Sequence, residues 1–192
     1  MMSKPNLREN ILAAGLATLH GRGFNATSVQ DITQAAGAPK GSFYNHFSSK
    51  EELGAAVVEQ YALRAAKQLA ILADANIEPL ARIRRYFEVM IASVRFPGAP
   101  GCLLGNFGAE LSNQSPAIRE RVSAAFEGWT AALAKVVEEA QNKGELKANL
   151  PAKPIAAFVI DSWEGAVLRA KVEQSPAALT AFRDMVFSRI LV

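Results

Sequence analysis

Apolar residues recur at intervals of three and four along almost the whole chain, and this period constrains the fold more than any other feature. The longest stripe runs through Ile118, Val122, Ala125, Trp129, Leu133, Val136 and Ala140. Shorter stripes join Leu12, Leu16 and Leu19 with Ile11; Leu53, Val57 and Tyr61; and Leu179, Phe182, Val186 and Ile190. Val159, Trp163 and Val167 form another, whose fourth place is held by Lys171. No alternating run of β-branched residues is long enough to compete as a strand. The expectation is an all-α protein of about nine helices.

Breaks between the stripes carry turn chemistry. Gly21 and Gly23 end the first helix, Thr27 followed by Gln30 reads as a capping box for the second, and Gly37 ends it. Pro39 suits the first turn of a short third helix, and Ser48 or Ser49 ahead of Glu51 or Glu52 caps a fourth. Later breaks fall at Asn76–Pro79, Pro97–Gly101, Ser115–Pro116, Gly144, Pro151–Pro154 and Ser175–Pro176. No clean linker occurs, only a junction near residues 48–50, so the fourth helix is expected to join a small unit, 1–48, to a larger bundle, 49–192.

Composition removes several function classes. Half of the 192 residues are hydrophobic and a fifth are charged, which places the chain among globular proteins and not disordered ones. Its apolar stretches are interrupted well before the ~20 residues of a bilayer span, and the polar start lacks a signal-peptide core, so a cytoplasmic location with no membrane contact is expected. A single cysteine, Cys102, and two histidines, His20 and His46, supply neither a disulfide framework nor an ordinary zinc site. No metal and no cofactor are expected. Charge is uneven: residues 1–50 hold five basic side chains against two acidic ones, while the rest of the chain is balanced, so the formal excess of +3 sits at the amino-terminal end. An anionic partner for that end follows, nucleic acid being the commonest.

Residues 27–47 sharpen this. Val29, Ile32 and Ala36 give one helix an apolar face, a turn containing Gly37 follows, and Phe43 with Phe47 gives the next helix a buried edge. The pattern is a helix-turn-helix, and burying Phe43 and Phe47 leaves Lys40, Ser42, Tyr44 and Asn45 facing outward, where they suit phosphates and base edges in the major groove.

The run Lys40-Gly41-Ser42-Phe43-Tyr44-Asn45-His46-Phe47-Ser48-Ser49-Lys50-Glu51-Glu52-Leu53 resembles the signature of the TetR family of transcriptional repressors, and the likeness extends over residues 7–60. The resemblance implies that Thr27, Ser28, Tyr44, His46 and Lys50 clamp phosphates while Lys40, Gly41, Ser42 and Asn45 approach the bases. It also implies a palindromic DNA operator, a homodimer formed by the last two long helices, 152–173 and 176–191, and a carboxy-terminal domain that binds a small-molecule inducer. Bland readings stand beside these: Thr27 as an N-cap, Tyr44 as a core aromatic, His46 in a local hydrogen bond, Lys50 as a solvated charge.

The segment Gly101-Cys102-Leu103-Leu104-Gly105-Asn106-Phe107-Gly108-Ala109-Glu110-Leu111-Ser112 is similar to the members of that family that respond to electrophiles or oxidants. On that likeness the sensor set is Cys102, Asn106, Phe107, Glu110, Trp129, Trp163 and Lys171. Cys102 at a helix start is either a reactive thiol favoured by exposed N–H groups or a small buried hydrophobe. Lys171 either extends outward from its helix or turns inward toward a thiolate, a ligand or Glu110; the tryptophans and Phe107 are either core or pocket wall. An enzyme is the rival class, but both histidines belong to the DNA-reading unit and no phosphate-binding glycine loop occurs, so no catalytic residue is expected.

Overall fold

The structure is a computed structural model describing residues 6–192, helical with no strand among them. Its helices are α1 (Leu7–Arg22), α2 (Val29–Ala35), α3 (Lys50–Leu69), α4 (Pro79–Ser93), α5 (Leu103–Leu111), α6 (Pro116–Asn142), α7 (Ala152–Glu173) and α8 (Ala177–Met185). A tight 3-10 segment, Lys40–Asn45, lies between α2 and α3, and the backbone after α8 widens into one π turn, Val186–Ile190. The last helix expected at 176–191 therefore changes its winding at Val186, where the Leu191 N–H reaches back to the Val186 carbonyl at 2.8 Å.

Caps set the helix starts. Asn6 Oδ1 accepts the Glu9 N–H at 2.9 Å, and the Glu9 carboxylate accepts the Asn6 N–H in return. The cap of α2 lies one residue beyond the expected one. Ser28, not Thr27, accepts the N–H of Asp31, and Asp31 Oδ2 accepts both the N–H and the hydroxyl of Ser28. A carboxylate is a stronger acceptor than the Gln30 amide, and the Thr27 side chain is buried, its hydroxyl donating to the Gly23 carbonyl at 2.7 Å. Both serines ahead of α3 act: Ser49 Oγ accepts the Glu52 N–H, while Glu52 accepts the N–H and hydroxyl of Ser48.

Two compact units emerge. The first extends to Leu63 and also takes Leu103–Ala124; the second comprises Arg64–Cys102 and Ala125–Val192. The division does not follow the junction at residue 48, because α3 and α6 each belong to both units. In the first, Ile11, Leu19, Ile32, Phe43, Phe47 and Leu53 are fully buried. α3 comes so near Phe24 that a Cβ on Gly54 would lie 2.8 Å from the ring, which demands glycine there. In the second, Phe87, Trp163 and Phe182 stack mutually with centroids 5.0–5.4 Å apart. That aromatic core holds α4, α7 and α8 together, and aromatic pairs add about 0.5–1.5 kcal/mol each beyond area burial. Arg82 is buried there too, bonded to the Leu72 carbonyl and paired with Glu139.

Candidate DNA-reading surface and sensor site

The reading surface is built on Phe43 and Phe47. Both are buried, their rings 5.8 Å apart, so the segment Lys40–Asn45 is anchored by one edge and presents the other. Lys40, Gly41 and Asn45 are exposed, and Tyr44 is 59 % exposed with its ring edge-on to Phe43. Ser42 is half-buried and its hydroxyl donates to the Pro39 carbonyl at 2.6 Å; His46 is half-buried as well. Ser28 is exposed at the start of α2, and its hydroxyl and N–H hold the Asp31 carboxyl below the usual carboxylate range. Thr27 differs from expectation: at 1 % exposure, with its hydroxyl turned inward, its side chain has no face for a phosphate.

The loop between α1 and α2 is tied down from two helices. Lys50 Nζ donates to the carbonyls of Phe24 and Thr27 at 3.0 and 2.9 Å and lies 4.3 Å from the Phe24 ring centroid. A cation at the first turn of α3 opposes the helix dipole, and these two carbonyls offset that. From α5, Glu110 accepts the backbone N–H of Phe24 at 3.2 Å and of Asn25 at 2.9 Å. Gly23, at φ +90°, makes room, since a Cβ there would lie 2.7 Å from Glu110 Oε1. Glu110→Ala should lower stability by about 1–3 kcal/mol, because the part-buried Phe24 N–H loses a charged acceptor. Chemical denaturation would check this, and a change below ~0.5 kcal/mol would refute the clamp.

The second unit holds a separate polar cluster. Cys102, the residue ahead of α5, is 7 % exposed and hydrogen-bonded to the Glu164 side chain on α7. Burial pushes the Glu164 carboxyl up to about 7, the bond to Cys102 partly opposing the rise, and Oε1 is buried without a hydrogen-bond partner. The folded carboxyl thus keeps its proton to higher pH than an unfolded one, so its burial costs stability as pH climbs from 4.5 to about 7. Nearby, the indole N–H of buried Trp129 donates to the Tyr86 hydroxyl. Burial raises the Tyr86 phenol far above its usual range, and the adjacent Cys102 and Glu164 add to the rise.

An exposed reading segment on a phenylalanine-anchored helix-turn-helix, followed by a helical carboxy-terminal unit, matches known proteins over both parts. Residues 11–57 fit the family described as bacterial regulatory proteins, tetR family, and residues 79–186 the tetracyclin repressor-like C-terminal domain. The chain belongs to the TetR family. It is 36% identical to the HTH-type transcriptional repressor DhaR of Mycobacterium sp. strain GP1 over 191 residues, 99% of this chain and 95% of that protein. The crystal structure of a TetR regulatory protein from Rhodobacter sphaeroides has a TM-score of 0.88 at 33% identity, covering 97% of this chain and 99% of that one. The reduced form of Escherichia coli NemR likewise gives 0.88 at 28% identity, covering 97% of each chain.

Against this TetR-family frame, the residues expected to form the sensor divide. Cys102, Trp129, Trp163 and Lys171 belong to the second unit, where Trp163 is part of the aromatic core and Lys171 is half-buried near the end of α7. Asn106, Phe107 and Glu110 belong to the first. Phe107 is fully buried, edge-on to Phe24 at 5.8 Å, and Glu110 grips the loop described above. These two pack the core and hold the loop of the first unit. Glu164 was missed: it lies one residue past Trp163, outside the stripe that ends in Lys171. Its only sequence signal is a carboxylate set between Trp163 and Gly165.

Proposed function

We propose that this chain is a TetR-type transcriptional repressor that binds a palindromic operator as a homodimer and leaves it when an electrophile modifies Cys102. The observation that carries the DNA-binding reading is the exposure of Lys40, Gly41, Tyr44 and Asn45 on a segment fixed by buried Phe43 and Phe47. In this reading Lys40, Gly41, Ser42 and Asn45 face bases, and Ser28, Tyr44 and His46 contact phosphates. Lys50, with two of its three donors spent on loop carbonyls, offers the third. Dimerisation through α7 and α8 is supported by Phe158, Leu168, Val172 and Met185, all more than half exposed on those helices. Two readers held about one helical turn of DNA apart supply selectivity that one short segment lacks.

Support for sensing at Cys102 comes from its bond to Glu164 and from the likeness to NemR, whose structure is described as a reduced form. A second reading, reversible binding of an inducer with Cys102 structural, is favoured by the burial of that thiol. Fluorescence anisotropy on DNA upstream of the chain's own gene, with and without methyl vinyl ketone, tests both. Release of the wild type but not of Cys102→Ser supports the covalent reading; equal release of both supports the reversible one. On the DNA side, Lys40→Ala and Asn45→Ala should each shift base preference by about 1–3 kcal/mol, and wild-type affinity should fall steeply with salt. Unchanged preference in a base-by-base competition would remove these residues from the readout.

A further inference from the structure

Cys102 and Glu164 set a physical problem for any reactive thiol. A carboxylate beside a thiol disfavours the thiolate, which is the nucleophile, so this pair does not activate sulfur by charge stabilisation. It can activate sulfur by taking its proton. We propose that Glu164 is the proton acceptor for Cys102 as the thiol adds to an α,β-unsaturated carbonyl compound, a role that rests on the electrophile-sensing reading above.

The step balances without an oxidant. Cys102 Sγ bonds to the β-carbon, the C=C pair moves to the α-carbon and carbonyl oxygen as an enolate, and the S–H proton passes to the Glu164 carboxylate. Glu164 then returns that proton to the α-carbon, so the net change is addition of S–H across the double bond. The geometry supplies three requirements: the thiol is hydrogen-bonded to the carboxyl, Cys102 is buried against a half-buried Glu164, and the buried Oε1 has no protein partner competing for it. Burial raises the basicity of the Glu164 carboxylate above that of a solvated one, which makes it a better proton acceptor. Groups facing Glu164 are Cys102 ahead of α5 and Tyr86 on α4, with α6 presenting neutral Trp129 to Tyr86. On α7 itself Asp161 is exposed and Lys171 lies two turns along, while on α8 Arg183 and Asp184 pair with each other.

The test is the rate of alkylation of the full chain by methyl vinyl ketone, followed by intact mass across pH. Glu164→Gln should react about a hundredfold more slowly than wild type near neutral pH, the low end of general-base effects, and should approach it in alkali where solvent removes the proton. A Glu164→Gln protein that reacts as fast as wild type, or faster, overturns the proposal, since a merely repelling carboxylate gives that sign. The wild-type profile decides independently of how the variant folds. A rate that levels off above pH 7 supports Glu164 as acceptor, and one that keeps climbing steadily into alkali follows thiolate formation alone and overturns it. Failure of the sensing reading is read separately, as release of Cys102→Ser from DNA by the same ketone, whereas failure of this proposal leaves that variant unresponsive and the Glu164→Gln rate unchanged.

Discussion

Replacing Glu139 by alanine should lower the unfolding free energy by about 3–5 kcal/mol, a fall in Tm on the order of 10 °C for a chain of this size. The cause is the partner left behind. The Arg82 side chain is 4 % exposed and the Glu139 side chain half exposed, so removing the carboxylate strands a buried guanidinium whose Nε already lacks an acceptor. The Leu72 carbonyl at 2.9 Å is then the bonded acceptor that remains. Arg82→Met should cost much less, because it removes the charge together with its desolvation. Calorimetry on both variants decides: if Arg82→Met is the more damaging of the two, the pair stabilises by packing and not by neutralising a buried charge.

Phe43→Ala should cost about 3–5 kcal/mol and abolish operator binding, since it empties one of the two fully buried rings on which the reading segment rests. Tyr44→Phe is the control. It removes only a hydroxyl from a ring that is mostly exposed, so stability should stay within about 0.5 kcal/mol while any phosphate contact is lost. Denaturant melts paired with anisotropy on operator DNA separate the two effects. Binding retained by Phe43→Ala at wild-type affinity would mean that the segment holds its shape without that anchor.

Helical structure was legible because burial and period agree. Ile118, Val122, Trp129, Leu133, Val136 and Ala140 are all buried along α6, and Ala152–Glu173 coincides with the penultimate helix that the family resemblance implied. Legibility failed where two residues of similar chemistry compete. Thr27 and Ser28 are both good caps, and the choice fell to Ser28 because Asp31 could answer it while the buried Thr27 hydroxyl turned to the Gly23 carbonyl. The change to π winding at Val186 has no cue in a stripe that continues to Ile190.

Around the candidate sites, exposure was legible from local patterning and distant pairing was not. The Phe43/Phe47 edge fixes which side chains face outward, so the reading surface follows from a few neighbours in sequence. Glu110 and Glu164 act on partners far along the chain, Phe24 and Cys102 respectively. A carboxylate on a helix is ordinarily solvated, and nothing in its immediate neighbours shows that tertiary packing has taken it out of water.

The first unit is interrupted in sequence, and that has a consequence during synthesis. Domains generally fold as they leave the ribosome, earliest residues first. Here α1, α2 and the reading segment emerge early, yet the ring that packs on Phe24, the carboxylate that holds its loop and the Ile118 side chain against Gly54 lie beyond residues 64–102. A nascent chain with only residues 1–63 outside the ribosome therefore exposes the apolar edge of Phe24 and a loop held by Lys50 alone, while one with residues 1–124 outside does not. The DNA reader is translated first and completed late.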